Sequence, residues 1–177
     1  IANACAMLQI PWIHVSTGCI YTGLSPDGAW TEEDPPNFCF DTGRHSFYSA
    51  SKAVGERAIA GIGNCWVCRL RIPFDSVASP KNLITKLLHY PQIYNSPRNS
   101  LSHLGDCVRA CVDLWAGRSR FGIYNVVNPG SITNKEVVEL IIDILKPSRE
   151  FRFFDNDAMF YSTAARTPRS NCVLSCK

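Results

Sequence analysis

The sequence lacks a glycine-rich turn between a strand and a helix, any apolar run near the roughly 20 residues of a membrane span, and any block of like charge. Each absence excludes something. Gly61-Ile-Gly63 is the one tight glycine pair, but it closes a helix ahead of a strand. A phosphate-cradling turn needs the reverse order, so the pair reads as a helix C-cap. No spanning helix and no signal peptide are expected. A net charge of +3 spread over 177 residues offers no electrostatic footprint for nucleic acid or a membrane surface. Nine cysteines are present, yet no matching set of histidines accompanies the paired ones to complete the four converging ligands of a zinc site. Cys65 and Cys68 fall in a strand pattern, where residues three apart face opposite ways. Cys107/Cys111 and Cys172/Cys176 are spaced as on a helix face. Reduced thiols of a cytoplasmic protein, used as small apolar residues, account for them.

What is present is a chain 46% hydrophobic, enough to bury one sizeable core. Strand patterns alternate with helical ones, which argues for an α/β sheet. Residues 12–16 read as a buried strand ending in small hydroxyl residues, followed by an irregular Gly/Pro/Asp-rich excursion over residues 22–44. A helix then runs to about Ala60, and residues 65–72 form the next strand, closed by Pro73. Asn82 caps a helix through Tyr90 with Leu83, Leu87 and Leu88 on its apolar side. Residues 104–115 carry helical spacing at Val108, Cys111, Val112 and Trp115. A strand at 121–127 leads to Thr133, which caps a helix with Glu136 three residues on; Val137, Leu140, Ile141 and Ile144 are its expected buried face. Short strands are expected at 92–94 and 150–154.

The chemistry-bearing stretch is Tyr48-Ser-Ala-Ser-Lys52. On a helix its Tyr and Lys share a face, and an ammonium beside a phenol favours phenolate. Upstream, Ser16-Thr17-Gly18-Cys19-Ile20-Tyr21 sits where a strand ends, and ligands of open α/β sheets gather at the carboxyl ends of strands.

Thr17, Tyr48 and Lys52, with Arg71-Ile72-Pro73 and Tyr124-Asn125 further on, resemble the extended short-chain dehydrogenase/reductases that act on nucleotide sugars. The resemblance implies a Rossmann-like doubly wound parallel sheet, present in part, with a smaller substrate-binding region. It also implies NADPH or NADH as cofactor and a nucleotide-sugar substrate, with no nucleic acid, no membrane, and a homodimer of the full-length protein. Tyr48 would be the acid/base at the sugar oxygen. Lys52 would hold the nicotinamide ribose and bias Tyr48, Thr17 would hydrogen-bond the reacting carbonyl, and Pro73 would shape the loop beside the nicotinamide. Dehydratases of the family carry an Asp-Glu pair where Gly18 and Cys19 stand, so a 4,6-dehydratase is disfavoured. Thr-Gly-Cys-Ile, Tyr-Ser-x-x-Lys and Asn82-Leu-Ile-Thr-Lys86 are similar instead to the plant-type 3,5-epimerase/4-reductases that make activated L-rhamnose. That likeness makes Cys19 and Lys86 the acid/base pair of the epimerisation. Asn82, Arg166 and Arg169 become substrate-binding candidates, the two arginines for the diphosphate.

Residues 1–73 are then expected to be the catalytic half of the cofactor-binding domain, and 74–177 mainly the substrate region interleaved with the last core elements. An opening helix end and no glycine-rich turn suggest an internal piece of a longer protein, which alone would bind NADPH poorly. A simple dTDP-4-dehydrorhamnose reductase and a non-catalytic regulatory subunit are the competing readings. The sequence leaves open uridine against thymidine and NADPH against NADH.

Overall fold

A computed structural model describes residues 1–176. Its centre is a three-stranded parallel sheet of order β1-β2-β5, formed by β1 (Trp12–Thr17), β2 (Cys65–Leu70) and β5 (Gly122–Asn125). β1 and β2 pair from Trp12↔Cys65 to Thr17↔Leu70, and β2 and β5 from Trp66↔Gly122 to Arg69↔Asn125. A short helix, α1 (Ala2–Met7), feeds β1. The helix α2 (Phe47–Ile59) connects β1 to β2. Between β2 and β5 lie β3 (Pro73–Phe74), α3 (Leu83–His89), β4 (Ser102–His103) and α4 (Leu104–Ala116), with β3 and β4 pairing as a small second parallel sheet. After β5 come α5 (Asn134–Leu145) and α6 (Asp157–Thr163).

Strand alternation explains the layering. In β2, Arg69 turns to α2, where Glu56 receives it, while Cys68 turns to α4, its Sγ 3.8 Å from that of Cys111. A strand with helices on both faces has no solvated side, and the first five residues of β2 are all buried. This is the α/β architecture expected, with a parallel sheet whose central strand is covered on both faces.

Arg69 is heavily anchored. Its Nε and Nη2 donate to the Glu56 carboxylate at 2.7–3.1 Å and its Nη1 to the Tyr21 phenol at 2.8 Å, while Ser16 donates to Glu56 Oε1 at 2.5 Å. Burial works against the arginine's charge, but Glu56 and Tyr21 outweigh it and raise its pKa. Burial first of all pushes the Tyr21 phenol up to about 12, so it stays a donor, to the Asp34 carbonyl at 2.6 Å.

Two apolar clusters divide the interior. One gathers Ile20, Tyr21, Trp30, Cys172 and Leu174, with Trp30 stacked on Tyr21 at 5.2 Å. The other joins Leu87 of α3 to Val137, Val138 and Ile141 of α5, with Ile93 between them. The cap of α5 is as expected: Thr133 accepts from the Glu136 amide and Glu136 accepts from the Thr133 amide. Its buried face differs. Val138 takes the place expected for Leu140 and Ile144, which are 51% and 73% exposed. The strands expected at 92–94 and 150–154 reduce to a single bridge, Ile93↔Phe153. α6 was not foreseen; seven residues capped by Asn156 are too few to show a period.

α4 keeps an apolar side turned outward. Val108, Val112 and Trp115 are exposed, and with Ile13 and Val15 of β1 they line a shallow apolar trough along the sheet's open edge. Among the described residues, no helix is long and apolar enough to cross a membrane.

Candidate active site

β1 ends where its hydrogen-bonding changes hands. Thr17 has extended backbone, and its Oγ1 accepts the Cys19 amide at 3.1 Å, starting a 3-10 turn over Gly18–Ile20. The turn runs under the C-terminal segment: Cys172 Sγ donates to the Gly18 carbonyl at 3.3 Å, and a Cβ built on Gly18 would lie 2.5 Å from Leu174 Cδ1. Position 18 therefore has no room for the carboxylate that a dehydratase would carry there. Gly18→Ala should destabilise the fold by about 1–3 kcal/mol through overpacking, read as a lowered urea midpoint.

Tyr48 is brought to this turn by the start of α2. Ser46 caps the helix by accepting the Ser49 amide at 3.1 Å, and Ser49 returns the bond to the Ser46 amide, so the first turn is fixed. Ala50, Ala53 and Glu56 form the buried side of the helix, while the Tyr48 ring stands about half exposed. Four influences act on its phenol. Burial and then the Cys19 sulfur raise its pKa; a hydrogen bond with the Thr17 side chain and the Arg71 charge pull it back, and the net direction is upward. Thr17, Cys19 and Arg71 are thus all neighbours of Tyr48. Lys52 lies one turn further along, its Nζ 3.4 Å from the Val15 carbonyl. It is not among the groups that shift Tyr48.

Arg71 was quoted from the sequence only as part of a motif, but the structure gives it a central place. It is buried, and Nη1 donates to Cys19 Sγ at 2.8 Å. Nη2 donates to Asn99 Oδ1 and to the Ser170 carbonyl, each at 2.6 Å. Asn99 Oδ1 also accepts the Cys172 amide at 3.0 Å, which ties the C-terminal segment to the same point. A signal was available: two arginines at i and i+2 in an otherwise apolar strand must both find partners on one face. The next residue, Ile72, has φ +37, a left-handed conformation that a β-branched side chain resists at a cost of about 1–3 kcal/mol. Pro73 follows it, exposed, in β3.

The remaining candidates fall elsewhere. Asn82 is buried and committed: its Oδ1 caps α3 by accepting the Ile84 amide, and its Nδ2 donates to the Asp75 and Val77 carbonyls. Lys86 is half-buried on α3. Arg166 and Arg169 are exposed in the segment after α6. Arg169 adjoins Ser170, which is fixed by Arg71 and by its own Oγ donating to the Tyr21 carbonyl at 2.5 Å. All nine cysteines are free thiols.

A nicotinamide cofactor can be tested against these donors. Tyr48 and Lys52 project near one another at the carboxyl end of β1, a hydroxyl and an ammonium suited to a ribose diol, with the exposed Pro73 at the end of β2. They fit the nicotinamide end of such a molecule. Among the described residues no glycine-rich turn offers amides to its pyrophosphate.

No family model matches the chain. It is 34% identical over 180 residues to the bifunctional dTDP-4-dehydrorhamnose 3,5-epimerase/dTDP-4-dehydrorhamnose reductase of Arabidopsis thaliana, covering 98% of this chain and 57% of that protein. Among solved structures, the UDP-rhamnose synthase L780 of Acanthamoeba polyphaga mimivirus superposes with a TM-score of 0.84 at 29% identity, covering 98% of this chain and 59% of that one. A dTDP-4-dehydrorhamnose reductase from Bacillus anthracis, solved with NADP, shares the fold with a TM-score of 0.76 at 17% identity. The chain therefore spans somewhat over half the length of these relatives.

Proposed function

We propose that this chain, a member of the extended short-chain dehydrogenase/reductase family and a homologue of its rhamnose-forming epimerase/reductases, carries the acid/base groups of a nucleotide-sugar 3,5-epimerase/4-reductase. The substrate is a UDP- or dTDP-4-keto-6-deoxyglucose and the product its L-rhamnose form. The observation that carries this is the meeting of a thiol, a phenol and a hydroxyl at one strand end: Cys19, Tyr48 and Thr17.

Carbons flanking a ketone can enolise, and inverting them needs one group to take a proton and another to return it on the opposite face. Cys19 fills one of these roles and Lys86 of α3 the other. Thr17 and Tyr48 hold the C4 oxygen by hydrogen bonds while negative charge gathers on it. Tyr48 then gives its proton to that oxygen as the ketone is reduced. NADPH, when bound, supplies the hydride, with Lys52 and Tyr48 holding its ribose and Pro73 shaping the loop beside it. Arg169, on the segment fixed by Arg71, is the better placed of the two arginines for the substrate diphosphate. Nine free thiols suit a reducing compartment, the cytoplasm.

Incubation of the full-length protein with either 4-keto sugar nucleotide and NADPH in D2O is the test, since the described residues lack a turn for the cofactor's pyrophosphate. Deuterium at C3 and C5 together with reduction at C4 is expected. Reduction of already epimerised sugar without exchange would make the protein a simple reductase, and no turnover at all would withdraw the enzymatic reading. Because burial and the neighbouring sulfur raise the Tyr48 pKa, the phenol stays protonated across neutral pH. Reduction rates should be level there and fall only above the ordinary tyrosine value of about 10.

A further inference from the structure

The two arginines of the second strand and its end are neutralised differently. Arg69 meets a carboxylate, Glu56, at 2.7 Å. Arg71 meets none: among the described residues no ion pair includes it, although it is 3% exposed. Its partners are an amide oxygen, a backbone carbonyl and the sulfur of Cys19, and its Nε is buried without a hydrogen-bond partner. A buried guanidinium without a counter-charge is costly, and of its three partners only the sulfur can become an anion. The position is also held from the backbone side, where the Arg71 amide donates to Ser102 Oγ at 2.9 Å and Ser102 donates to the Val126 carbonyl at 2.7 Å. The geometry points to Arg71 as the positioning residue and counter-charge of Cys19: it aims the sulfur and carries the opposite charge whenever the sulfur is anionic.

This deepens the epimerase reading and rests on it for its chemical purpose. When the sulfur takes a proton from the carbon beside the ketone, the S–H bond forms as the C–H bond breaks, and the electron pair passes to the enolate oxygen held by Thr17 and Tyr48. When it returns a proton, the same steps run in reverse. In both directions the sulfur is an anion at one end of the step, facing Arg71.

The pair can be tested on the chain itself, without substrate or cofactor, by alkylating the thiols and mapping Cys19 by mass spectrometry. Arg71→Gln should slow iodoacetamide alkylation of Cys19 at pH 7 about tenfold, equivalent to about 1.4 kcal/mol. Arg71→Lys, which keeps the charge, should restore most of the rate, while the exposed Cys176 reacts alike in all three proteins. Equal Cys19 rates in Arg71→Gln and the unaltered chain, or failure of Arg71→Lys to recover, would overturn the assignment. Should the variants not fold, the unaltered chain still decides. A neighbouring cation favours an anionic reagent, so the iodoacetate-to-iodoacetamide ratio should be higher at Cys19 than at Cys176, and equal ratios would refute the pairing. A chain that shows the alkylation pattern but exchanges no deuterium into a 4-keto sugar would sink the epimerase and leave the Arg71–Cys19 pair standing.

Discussion

Cys19→Ala should abolish solvent exchange at C3 and C5 of the keto sugar, a loss of about 10²–10⁴-fold in that half-reaction, while hydride transfer to sugar already epimerised continues. The split follows from where each group stands. Cys19 lies on the 3-10 turn after β1, fixed through its own amide to Thr17 and through its sulfur to Arg71. Tyr48 reaches the same place from α2, an independent element with its own cap. Removing the sulfur takes away one proton carrier and one of the influences that raise the Tyr48 pKa, but leaves the phenol and its Thr17 contact. Deuterium incorporation followed by NMR, beside NADPH consumption on epimerised substrate, reads the two activities separately. If reduction falls in step with exchange, the sulfur is serving the whole site and not one reaction.

Glu56→Ala should cost about 3–5 kcal/mol, read from the urea midpoint, because it leaves the Arg69 guanidinium buried without its carboxylate. Ser16 and Tyr21 lose their arrangement with it, since the network runs Ser16–Glu56–Arg69–Tyr21 from β1 through α2 and β2 to the end of the 3-10 turn. Replacing both charges together, Glu56→Leu with Arg69→Met, should recover much of the loss, because the desolvation of two ions disappears along with their attraction. A double variant as unstable as the single one would mean that the network contributes chiefly through its hydrogen bonds to Ser16 and Tyr21.

Legibility in the sequence followed the range of the interaction. Caps are local, and Asn82 and Thr133 announce the starts of helices that the structure places at those points. The nearness of Thr17 and Cys19 to Tyr48 was also readable, because two short motifs lie on consecutive elements of one crossover. Burial was harder. Leu140, Ile144, Val108, Val112 and Trp115 fit helical periods yet stand exposed, since a period shows that a face is apolar without showing what covers it. The Arg71 contacts were not readable. They join positions 52 and 99 residues apart, and no local pattern encodes which thiol or carbonyl a distant guanidinium will meet.

The segment 170–174 has a consequence for the order of assembly. It supplies the Ser170 carbonyl to Arg71, the Cys172 amide to Asn99, and the side chains that roof Gly18, the last contact spanning 154 residues. Chains emerge from the ribosome amino end first, at about 5–20 residues per second. Strand pairing and the Tyr48 helix can therefore form during synthesis, whereas the setting of the Cys19 sulfur must wait until the final stretch of this sequence has been made. A nascent chain halted before residue 170 would hold its phenol ready and its thiol loose.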